Sequence, residues 1–134
     1  MKNKLKKLLH SEHPQHEFLA FAMIGLGLIF IFNKSYFFWP PFAVGILNDD
    51  LVGGIYVVIG VLLLKWALST SGKIYANRRL LVITAGLLAF ESTAEFCHWH
   101  ASGESHMFTA GFVEAILLAF VFLIITNSKK HDHY

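Results

Sequence analysis

The sequence predicts an all-α membrane protein: a four-transmembrane-helix bundle with both termini cytoplasmic and a short amphipathic N-terminal helix. Three observations carry this. Of 134 residues, 55% are hydrophobic and 15% charged, with a mean hydropathy of +0.54, a balance that belongs to membrane chains and not to soluble domains. The apolar residues gather into four runs, each close to the thickness of a hydrocarbon core. The basic residues then segregate to one side of the bilayer when all four runs cross it.

Residues 1–16, MKNKLKKLLHSEHPQH, hold four lysines with Leu5, Leu8 and Leu9 at helical spacing. That pattern suits a cytoplasmic arm lying on anionic headgroups. A bundle over 17–127 follows, then a cytoplasmic tail over 128–134. The first span is read at about 18–32. This apolar run ends in FNKSYFFWPP, which lacks the small residues of a cleavage site, so the sequence predicts an uncleaved anchor. Tyr36, Phe37, Phe38 and Trp39 read as an interfacial aromatic belt, and Pro40 and Pro41 prevent a continuing helix. A shallow or re-entrant turn is expected there. The second span is read at 51–68, the third at 80–96 and the fourth at 107–126.

Four crossings put Lys2, Lys4, Lys6, Lys7, Lys65, Lys73, Arg78, Arg79, Lys129 and Lys130 on one side, leaving Lys34 alone of the 11 basic residues on the other. Positive charge accumulates on the cytoplasmic side, so both termini are expected there, most simply in a plasma membrane. Dropping any span would scatter these residues.

The third and fourth spans carry the chemistry. Within LLVITAGLLAFESTAEFCHWH sit Glu91, Glu95 and His98, spaced by four and three so that they share one helical stripe, with Thr84 extending it. The next run opens with His106 and carries Glu114 well inside it. An ionisable side chain at such depth costs on the order of 3 kcal/mol on insertion scales, and one that persists marks a functional site by default. Run antiparallel, the two helices place Glu91 and Glu114 at a similar depth, each roughly 12 Å below its helix end. His100 and Glu104 lie nearer the water.

Carboxylates and imidazoles in this order can store or pass protons. The same oxygen and nitrogen donors from Glu91, Glu95, His98, Glu114 and His106 suit a divalent transition metal: zinc, manganese or iron. Glu95 and His98 also have the Glu-x-x-His spacing of di-iron bundles, although a single chain supplies half of that ligand set. A haem between His98 and His106 is less favoured, because the pair lies at the helix turn.

The expected function is therefore a Glu/His cation or proton site facing outward, in ion-coupled transport or channel activity. The alternatives are a non-transporting accessory, immunity or assembly subunit, a holin-like pore-former, and a metal-dependent membrane enzyme. No Ser/His/Asp grouping or phosphate-binding glycine loop supports catalysis. The expected partners are the lipid bilayer, a proton or divalent cation, and either further copies of the chain or a larger membrane protein. Small residues at Ala85, Ala89 and Thr93 and at Gly111, Ala115 and Ala119 favour close helix contact. A net charge of +2, dispersed over ends and one loop, excludes nucleic acid. Cys97 is the only cysteine, which rules out an internal disulfide.

Overall fold

The computed structural model describes residues 12–69 and 73–130, with side chains to Ser128. Four of its helices are long and apolar enough to cross a membrane, and no strand occurs among the described residues. In chain order they are α1 (Pro14–Phe32), a single short turn α2 (Val44–Leu47), α3 (Asp50–Leu68), α4 (Ile74–Ser102) and α5 (Ser105–Lys130).

Every long helix begins at or before its expected span because hydropathy marks the hydrocarbon layer, whereas the backbone ladder continues into polar sequence. Pro14 stands in the first turn of α1, where its fixed φ fits and its missing N–H is not needed. Residues 14–16 of the expected amphipathic arm thus open α1. The lysine-rich part of that arm, 1–11, lies outside the described residues, as do 131–134 of the tail. At α3 the carboxylate of Asp49 accepts from the Leu51 N–H at 3.2 Å, a side-chain cap that sets the helix start. The 29 residues of α4 give a rod of about 44 Å at 1.5 Å per residue, enough to span core and headgroup layers together. It stops at Gly103, whose φ of 73° is left-handed and whose N–H closes on the Trp99 carbonyl at 2.7 Å. Only Gly103 and Glu104 separate it from α5.

The helices pack as two antiparallel pairs, α1 with α3 and α4 with α5, joined chiefly through α3 against α4. The first pair meets backbone to backbone: a Cβ on Gly27 would lie 2.6 Å from the Gly53 carbonyl oxygen, and one on Gly53 would lie 2.6 Å from that of Gly27. With no hydrophobic driving force between helices in lipid, such contact supplies the packing energy. Leu19, Met23, Tyr56, Leu63, Leu81 and Leu88 fill the centre. Large apolar side chains such as Phe21, Val58, Phe112 and Leu123 face outward, as a lipid-exposed surface requires.

Residues 33–49 do more than connect α1 to α3. Phe37, expected in an interfacial belt, is 1% exposed and belongs to the core. Its ring packs against Phe30 and Tyr36 at centroid distances of 5.4 and 5.0 Å. The Asn48 side chain holds it in place, accepting from the Phe37 N–H at 2.9 Å and donating to the Phe37 carbonyl at 2.7 Å. The loop therefore folds inward over the bundle. Lys34 forms an ion pair with Asp50 across its base.

Candidate functional site

The interior face of α4 sets the site. Glu91 is 0% exposed, Glu95 4% and His98 0%, so the stripe read from the sequence points into protein and away from lipid. Ser92 lies beside them and donates to the Gly111 carbonyl of α5 at 2.9 Å. At that crossing a Cβ on Gly111 would meet the Glu95 Cβ at 3.1 Å, which brings α5 close to α4. Glu114, one turn further along α5, is buried and comes within electrostatic reach of Glu91 and Glu95. Three carboxylates from two helices thus lie buried within electrostatic reach of one another.

The α1–α3 connection packs against this cluster. Tyr36 faces Glu91 and Glu95 closely enough to interact with both. Burial first, and then the charge of Glu91 and its neighbours, raises the Tyr36 phenol well above its ordinary value, so it remains a neutral donor. Phe38 stacks on the His98 ring at 4.3 Å with 22° between planes, while Phe37 approaches the same ring at 5.9 Å. His98 Nε2 lies 3.2 Å from the Trp39 carbonyl oxygen. A carbonyl can only accept, so this nitrogen carries the proton, leaving Nδ1 as the lone-pair nitrogen of the neutral ring. Nδ1 faces Glu95 Oε1 at 3.8 Å, too far for a hydrogen bond and near enough for one to form after a small movement.

Several of these polar atoms are poorly satisfied. Glu91 has only the Tyr36 hydroxyl near it, and neither of its oxygens, nor one oxygen of Glu114, nor Nδ1 of His98, makes a hydrogen bond of good geometry among the described residues. Among the described residues, the charges that act on Glu91 and Glu114 are other carboxylates, with no lysine or arginine among them. From α3, Tyr56 presents its ring to the same region and donates its hydroxyl to the Leu87 carbonyl at 2.8 Å.

Of the five residues expected to act together, Glu91, Glu95, His98 and Glu114 are gathered here. His106 is not. Its side chain is 70% exposed and pairs with Glu104 at 3.1 Å, on the surface of the α4–α5 turn. The turn is too short to fold His106 back, because α5 starts at Ser105 and its first turn points into solvent. His100 is exposed as well. Among the described residues no three of His, Cys, Asp or Glu converge as a metal-binding group.

Tyr36, Phe38, Trp39, Ser92 and Tyr56 were not singled out as site residues by the sequence. Tyr36 and Trp39 were legible only as interfacial aromatics, because nothing local signals that a loop turns inward. Asn48 was the available hint: an amide just before a helix cap can satisfy a distant peptide. Comparison of the chain with protein-family models, with curated proteins and with solved structures found no match in any of the three.

Proposed function

We propose that this protein is an integral membrane protein that binds and relays protons through Glu91, Glu95, Glu114 and His98. The carrying observation is a buried cluster of three carboxylates with poorly satisfied acceptor atoms and, among the described residues, no lysine or arginine acting on Glu91 or Glu114. Negative charge in a low-dielectric interior needs a positive companion, and a proton fits where donors do not converge on a metal. Glu95 and His98 form the first relay step. A proton on Glu95 transfers to His98 Nδ1 once the 3.8 Å gap shortens, giving a carboxylate and an imidazolium that share one charge pair. The Tyr36–Trp39 segment covers the cluster, so exchange with water on that side requires this segment to move.

The ten basic residues on one side support a plasma-membrane orientation with both termini cytoplasmic, which puts the covering segment outside. The test is proton flux into proteoliposomes under an imposed potential, read with a trapped pH indicator. Glu91→Gln and Glu114→Gln are each expected to reduce flux at least tenfold. Wild-type flux in both would remove the carboxylates from the function.

A further inference from the structure

The buried face of α4 does not end at the carboxylates. Leu88, Thr84, Leu81 and Asn77 continue it at alternating spacings of three and four, and all are at most 6% exposed. Seven residues of helix separate Glu91 from Thr84 and seven more separate Thr84 from Asn77, about 10 Å for each step. A polar group therefore recurs at every second seam position, with one leucine layer between.

At the far end of the seam is a second polar cluster, outside the site described above. Asn77 meets His16 of α1, and the His16 ring lies against Trp66 of α3 at 4.7 Å. Trp66 in turn donates its Nε1–H to the Lys73 carbonyl at 3.2 Å, fixing the indole. His16 and Asn77 are each 6% exposed and interact with one another, yet neither His16 Nε2 nor Asn77 Oδ1 makes a hydrogen bond of good geometry among the described residues. Three helices thus converge on this buried polar pair, two turns of α4 beyond Thr84.

Resting on the proton-relay reading, the geometry points to a proton path that crosses the whole bundle along α4, with the His16–Asn77 pair as its second mouth. Protons move from the Glu91 cluster past the Thr84 hydroxyl to the His16 imidazole through water that transiently fills the Leu88 and Leu81 layers, with the Asn77 amide orienting the last of that water by hydrogen bonding. Each 10 Å step takes about three waters in line at hydrogen-bonding distance. The transfer is proton exchange between oxygens and nitrogens and needs no other reactant. The leucine layers are closed in the resting structure and act as apolar gates that conduct only when wetted.

The experiment is proton flux in proteoliposomes of the full chain, with chromatographic homogeneity and helix content checked for each variant. The double variant His16→Phe with Asn77→Leu is expected to lower flux at least tenfold. Thr84→Val, which changes no volume, is expected to lower it several-fold, and Leu88→Ser to raise it several-fold. Thr84→Val and Leu88→Ser keep the proposal open to refutation where the double variant fails to fold. Loss of flux in Glu91→Gln together with unchanged flux in all the seam variants overturns the through-path and leaves a site served from one side. Unchanged flux in Glu91→Gln overturns the relay reading, and the path with it.

Discussion

The Nε2 of His98 lies 3.2 Å from the carbonyl oxygen of Trp39, a residue 59 positions earlier, and this bond fastens the α1–α3 connection onto the carboxylate cluster. Phe38 stacks on the same imidazole at 4.3 Å. His98→Leu keeps the volume and removes the donor, leaving the Trp39 carbonyl unpaired at a cost of about 1–3 kcal/mol. Amide hydrogen exchange at residues 36–39 is expected to speed up in this variant while α1 and α3 are unaffected. Unchanged exchange would mean that the stacking alone holds the segment.

Asn48 holds the same segment from its other end through two bonds to the Phe37 backbone. Asn48→Leu removes both and leaves an N–H and a carbonyl unpaired, at about 1–3 kcal/mol per group. Thermal unfolding in mild detergent is expected at a lower temperature than wild type, with a larger loss than for His98→Leu. A loss no greater than that of an exposed substitution would show that water replaces the amide.

Gly27 and Gly53 make the closest approach between α1 and α3. Gly27→Ala is expected to destabilise the fold by about 1–3 kcal/mol, because the new methyl meets a backbone oxygen that cannot rotate away. Gly25, two residues earlier, has nothing within 4 Å of its notional Cβ. Gly25→Ala is therefore neutral or stabilising by up to about 1 kcal/mol. Equal effects of the two substitutions would contradict the packing.

Tyr36 gives a pH dependence whose sign is fixed. Its folded phenol ionises above the ordinary value of 10.0, with burial the larger cause and the neighbouring carboxylates the smaller. Its contribution to stability is full below pH 10.0 and is lost as the pH rises toward the folded value. Melting temperatures at about pH 9 and about pH 11 should fall less for Tyr36→Phe than for wild type. Equal falls would mean that this phenol is not shielded.

Metal content offers an independent check. Protein purified without chelator is expected to hold well under one equivalent of zinc, manganese or iron by elemental analysis. One equivalent per chain, lost in Glu95→Gln, would replace the proton by a metal ion as the companion of the cluster.

Much of this was readable from the sequence because lipid makes the code simple. Uninterrupted apolar runs announce the helices, and Glu91, Glu95 and His98 share a face through spacing alone. Glu114 could be paired with them because a short polar turn between two apolar runs returns the second helix antiparallel to the first. What escaped depends on contacts between distant segments. Phe37 reads like any interfacial aromatic until Asn48 is seen to hold its peptide, and His106 reads like a ligand until its helix start turns it outward. The seam was partly hidden too, since Asn77 precedes the apolar run and His16 sits in a stretch dominated by charge. Helix ends were missed outward for one reason: hydrogen bonding continues beyond the hydrophobic layer.

The brevity of the Gly103–Glu104 connection also bears on how the chain enters a bilayer. Two residues leave no aqueous segment between the two helices, which favours the entry of α4 and α5 as a single folded hairpin. Their acidic groups then face each other from the start of integration, and neither has to cross the hydrocarbon unaccompanied.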